Sequence, residues 1–275
     1  MKKAFLDGRC IGLSISESPE MGILGLGKEH LEDAMTEIAR HLLACGASLA
    51  YGGDLRPGGF TNLLFEVVNR HRSNSTIEKS SVTNFLAWPV HVSMSVLEIE
   101  ERRAALEGVA ELVLLAPDGS EQTTNERAPN RQLTTTDWEY GLTAMRKAMA
   151  SAVDARIVLG GRTTEFRGRL PGIAEEALIQ LQNKAPLYVL GGFGGCSFDI
   201  ANAMGLSRDR RDLANWNGLE DFASHSSSDL RNGLDSVENF TLANTIHIDQ
   251  AVALILRGLL RIKKRKRRAA LPRPR

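Results

Sequence analysis

Aromatic residues are scarce in this chain, at 5% of 275 residues, with three tryptophans and three tyrosines. A core has to be filled by aliphatic side chains and alanine, and at 43% hydrophobic content there are enough of them. Cysteine is scarce as well. Cys10, Cys45 and Cys196 are odd in number, lie far apart and offer no CxxC pair. That pattern argues against a disulfide framework and predicts reduced thiols. The six histidines form no pair at ligand spacing, and His247 with Asp249 reads as capping and surface chemistry, so neither a metal nor a cofactor is assigned. No run of 18 apolar residues occurs, and no signal-peptide pattern follows Met1-Lys2-Lys3, so a soluble, cytoplasmic protein is expected. A Walker A motif, a strict GxGxxG and a Ser-His-Asp order are also missing, which removes support for NTP hydrolysis, dinucleotide-fingerprint and triad chemistry.

Acidic residues are absent from the C-terminal end. From Arg261 onward there are nine Lys/Arg and no acid, which leaves 25 basic against 33 acidic residues in the remainder. The body is acidic and the tail basic. The run Lys263–Arg268 has the charge to meet nucleic acid or an acidic membrane surface. The reading adopted is one continuous domain over 1–262, followed by a solvated, disordered extension over 263–275, with nucleic-acid contact through that tail kept as the less favoured alternative.

What the sequence does contain is alternation. Cys10–Ser16 reads as a buried strand, and His30–Cys45 carries apolar residues at helical spacing, with Gly46 as its cap. Ser48–Tyr51 is a second strand. A helix from Phe60 to about Arg70 follows, and Thr83–Val90 and Ala110–Ala116 read as further strands. Pro117–Asp137 is polar and reads as a long loop. Trp138–Ala150 is helical, Ala155–Leu159 and Pro186–Leu190 are strands, and Glu175–Gln182 and Ile248–Leu260 are helices. Ser207–Asn239 reads as surface loops and short helices. Strands alternating with helices predict an α/β, Rossmann-like domain, its mainly parallel sheet flanked by helices on both faces.

Three strand ends carry paired glycines: Gly52-Gly53 (followed by Asp54), Gly160-Gly161 and Gly191-Gly192. In a parallel sheet, ligands lie beyond the carboxyl ends of the strands, so three such ends point to one crevice. After Gly160-Gly161 comes a loop with Arg162, Arg167, Gly168 and Arg169, then Pro171-Gly172 opening a helix whose first turn holds Glu175 and Glu176. Unpaired N–H groups and the helix dipole favour a phosphate there, and the arginines add charge. Ser14, Ser16 and Glu17 follow the first strand and either form a turn or add polar contacts.

Tyr51-Gly52-Gly53 with Pro57-Gly58-Gly59-Phe60-Thr61, and Leu170-Pro171-Gly172-Ile173-Ala174-Glu175-Glu176, resemble the two glycine motifs of the SLOG superfamily. Met145-Arg146-Lys147 resembles its Met-x-x-Arg-Lys run. The superfamily includes the Lonely-Guy phosphoribohydrolases and the DNA-processing Smf proteins. The resemblance is nearest to bacterial SLOG proteins of defence systems. It implies a sensor of a nucleotide-derived small molecule, a homo-oligomer, and an effector protein as partner. In the hydrolase branch an arginine and the motif glutamate act on an N-glycosidic bond, and Arg146 with Glu175 or Glu176 hold those positions. Here Ile173-Ala174 replaces the Gly-Thr pair and the loop is longer, a departure that leaves binding without catalysis as the reading. Lonely-Guy-like nucleotide N-glycoside hydrolysis and DNA binding are the alternatives.

Overall fold

The computed structural model describes residues 4–53, 55, 58–72, 81–127, 131–207 and 216–270, with no side-chain description at 71–72 and 263–270. Asp54 falls outside the described residues. The strands are β1 (Cys10–Ser16), β2 (Ser48–Tyr51), β3 (Val82–Leu86), β4 (Ala110–Leu115), β5 (Glu121–Gln122), β6 (Ala155–Gly160) and β7 (Leu187–Leu190). They form one sheet in the order β5-β4-β3-β2-β1-β6-β7. Every pairing is parallel except the short antiparallel β4–β5 contact. Parallel strands covered on both faces should be apolar throughout, and β6 and β7 are buried at every position.

Ten helices complete the described chain: α1 (Lys28–Ala44), α2 (Phe60–Arg72), α3 (Trp88–His91), α4 (Val96–Ala105), α5 (Thr135–Ala152), α6 (Gly172–Gln182), α7 (Gly195–Ala203), α8 (Leu219–Ala223), α9 (Ser236–Asn244) and α10 (Ile248–Ala270). The apolar stripe of α1, with Leu31, Ile38 and Leu42, packs with Ile255 of α10 and the β1–β2 strands in the largest core cluster. A second cluster joins Val158 of β6 to Ala177 of α6 and Ile200 of α7. A third sets Met145 and Met149 of α5 against Ala50 and Phe85. A fully buried leucine or isoleucine contributes about 1.5–3 kcal/mol, so aliphatic packing suffices where aromatics are few.

Several expectations shift. The strand expected over Thr83–Val90 ends at Leu86, because Pro89 cannot donate to a ladder and instead opens the single turn of α3. The polar segment Pro117–Asp137 contains the β5 edge and a capped 3-10 turn at Thr124–Glu126. Ser207–Asn239 is not only surface: Phe222, Leu230, Asn232 and Asn239 are buried. Asn232 Nδ2 donates to the Leu187 carbonyl at 2.9 Å, tying this segment to β7. The backbone of α10 continues as helix past Ile262 to Ala270, so the basic run begins inside that helix.

β1 has β2 on one side and β6 on the other, and the chain's winding direction reverses between them. Their carboxyl ends are in register, Ser16 opposite Gly160. Such a reversal opens a crevice beyond the strand ends.

Candidate functional site

The turn after β6 depends on glycine. Gly160 and Gly161 have φ of +66° and +106°, and a Cβ on Gly160 would lie 2.3 Å from the Ser16 carbonyl oxygen. Gly161 N–H donates to that same carbonyl at 2.8 Å. This lets the chain turn sharply at the switch point and begin the loop 162–170. Pro171 then caps α6, whose axis starts at the crevice.

The crevice has two lobes. A small one of about 150 Å³ is lined by Ser14, Ser16, Gly52, Gly172 and Glu176, among others. A large one of about 800 Å³ is lined by Gly52 and Gly53 from the β2 end, Phe85 and Ala87 beyond β3, and Trp138, Leu142 and Met145 of α5. Arg162 and Arg167 stand at its loop side. Gly52 and Arg146 line both lobes and mark where they join.

Behind the lobes lies a buried ionic network. Arg146 donates to Glu175, which also accepts from Thr143. Glu176 accepts from Ser14 and, at 2.7 Å, from Arg156. Arg156 in turn donates to Ser14 Oγ at 2.8 Å. Both glutamates are more than nine-tenths buried and Arg156 is wholly so. The network holds two cations and two anions, which is how charge survives in a low dielectric. Burial pulls the Arg156 guanidinium below its ordinary pKa, and the Glu176 charge opposes that. Its Nε and one terminal nitrogen, and Arg146 Nε, have no hydrogen-bond partner.

The residues singled out in the sequence separate into groups. Gly52, Gly53, Arg146, Arg162, Arg167, Gly172 and Glu176 meet at the crevice. Gly168 is buried against Arg146, where a Cβ would sit 2.6 Å from a guanidinium nitrogen. Glu175 and Arg169 line a different cavity of about 460 Å³, with Thr143 and Lys147, on the far side of the Arg146–Glu175 pair. Gly191 and Gly192 line neither lobe. They sit against the end of α9, where a Cβ on Gly192 would be 2.4 Å from the Thr245 carbonyl. Ser14 and Ser16 line the small lobe, and Glu17 is exposed.

Sequence reading missed Arg156. It was absorbed into an apolar run, yet a signal existed. Gly12 is its register partner on β1, and a Cβ there would come within 3.3 Å of the guanidinium carbon. A glycine inside a buried strand marks close approach by another group. Trp138 was also missed as a site residue, having been read only as the start of a helix.

Taken together, the fold and crevice define a doubly wound, Rossmann-like protein with a two-lobed cleft at its switch point. The family model for SLOG cluster 2 matches residues 5–228, and the chain belongs to that family. Among curated proteins none matches it. No described helix is long and apolar enough to cross a membrane.

Proposed function

We propose that the crevice binds a nucleotide-derived ligand and that the chain acts as a cytoplasmic sensor in a bacterial antiviral defence or signalling system. The observation that carries this reading is Arg146. It is 7% exposed, has no hydrogen bond at Nε, which lies 4.0 Å from Glu176 Oε1, and lines both lobes beside the first turn of α6. A phosphate in the small lobe would meet that guanidinium and the start of α6 at Gly172 and Ile173, a charge-assisted arrangement. Arg162 is exposed on the loop side and adds a second cation. Binding would alter self-assembly or contact with an effector protein.

The test is calorimetric titration against mono-, di- and cyclic nucleotides and ADP-ribose. Arg162→Ala should weaken the ligand found by roughly tenfold to a hundredfold, the worth of a charge-assisted bond. Gly172→Val should abolish binding, because a Cβ there lies 3.0 Å from an Arg146 nitrogen and fills the approach to α6. Wild-type affinity in both variants would refute the site. N-glycosidic cleavage is the second reading, favoured by Glu176 among the residues that line the small lobe. Release of free base from a nucleoside monophosphate, lost in Glu176→Gln, would establish it over sensing.

A further inference from the structure

The large lobe extends from Arg146 to Trp138, Pro89 and Met94. Trp138, Leu142, Met145 and Arg146 all line it from one face of α5. Trp138 lies eight residues before Arg146, about 12 Å along the helix at 1.5 Å per residue. That is roughly the length of one extended nucleotide from phosphate to base. Pro89, Val90 and Met94 add apolar surface to the same lobe. A lobe of about 800 Å³ is large for an anion alone and falls within the roughly 300–1,000 Å³ of organic-ligand pockets.

Trp138 already holds a flat group. The Arg167 guanidinium carbon lies over its ring, 4.4 Å from the centroid. The ring is half-buried and Arg167 is exposed. An exposed cation–π contact is worth little, so a better-stacking group can displace it. Once displaced, Arg167 remains on the loop at the same cleft, free to turn to the phosphates.

We propose that Trp138 is the base platform of the cleft: a nucleobase takes the Arg167 position on its ring while the phosphate end lies at Arg146 and α6. This rests on the reading that the crevice binds nucleotides, and it fixes the ligand class as one carrying an aromatic base, not a sugar phosphate alone. Trp138 sets specificity by stacking, and Arg167 exchanges an aromatic partner for an anionic one.

The experiment uses AMP and ribose 5-phosphate as probes, titrated by calorimetry into the full chain and into Trp138→Ala and Trp138→Phe, each checked by thermal melting. Wild type should bind AMP roughly fivefold to a hundredfold more tightly than ribose 5-phosphate, the range that stacking a base on an aromatic ring supplies. Trp138→Ala should bring AMP down to the affinity of ribose 5-phosphate and leave the latter unchanged. Trp138→Phe should restore AMP to within about threefold, since a phenyl ring still stacks. AMP should change tryptophan emission in wild type but not in Trp138→Phe. Equal affinity for the two probes, or an AMP preference that survives Trp138→Ala, overturns the platform while leaving the phosphate site standing. Binding of neither probe overturns the platform and counts against the nucleotide reading beneath it.

Discussion

At the scale of single residues, Arg156 is the most demanding feature of the molecule. A fully buried guanidinium on a central strand is tolerable only because Glu176 and Ser14 face it. Removing one member of a buried pair strands the other, which costs about 3–5 kcal/mol, whereas replacing both with apolar residues is often close to neutral. Arg156→Met should therefore destabilise the protein severely in urea denaturation. The double variant Arg156→Met/Glu176→Leu should recover most of that loss. If the double variant is as unstable as the single one, the pair is not the source of the cost. Residues of this kind are poorly legible in sequence. Glu175 and Glu176 read as helix-start acids or as catalytic residues, and nothing local to α6 says that they point inward. Only the tertiary partners Thr143, Arg146 and Arg156, remote in sequence, decide it.

Elements are more legible than residues where periodicity is long and less so where it is short. The helices α1, α5, α6 and α10 and the strands β1, β2, β4, β6 and β7 stand where alternation and apolar spacing place them. α3 escaped notice because four residues carry no period, and Pro89 inside an apolar run was the only signal. That short turn buries His91, whose Nε2 faces the Leu115 carbonyl at 2.9 Å while Nδ1 has no partner. Burial holds the imidazole pKa below its usual value near 6.5, and the nearby Arg127 charge works in the same direction. The unfolded chain therefore binds a proton more readily than the native one. The stability due to neutral His91 is present above about pH 6.5 and declines as the pH falls through that value toward the lower native pKa. Melting temperatures measured from pH 7.5 to 5 should fall less steeply in His91→Gln, which keeps a donor for Leu115. Parallel slopes in the two proteins would rule out His91 as the titrating group.

For the whole molecule, the reversal between β1 and β6 does most to place the crevice, and the paired glycines at strand ends announced it. One of those three pairs, Gly52-Gly53, lines it, and Gly160-Gly161 makes the turn that leads into its loop. The third serves packing against α9, and its sequence looks no different. The acidic body and basic tail were legible from composition alone. The backbone of α10 carries that basic run on as helix to Ala270. Before that run begins, α10 is already tied to α9: Glu238 lies between Arg257, at 2.9 Å, and Arg261, and these cations hold its carboxyl down at about 2. Truncation after Ile262 keeps that clamp. It should move the melting temperature by no more than about 2 °C, since solvated charges contribute little. A larger drop would show that residues 263–275 pack on the body.

The glycines that touch backbone have a consequence for how variation in this family is read. Positions 160, 192, 195 and 233 each have a carbonyl oxygen within 2.4 Å of where a Cβ would stand. No side chain fits there, whatever the cleft contains. Any survey of tolerated substitutions will find these positions invariant for reasons of assembly alone, and a glycine fixed by its neighbours will look the same as one fixed by a ligand. Exposed positions such as Arg162, which no core contact protects, carry the cleaner functional record. If they drift among relatives while the glycines hold, what has been inherited is the shape of the turn and not the molecule it receives.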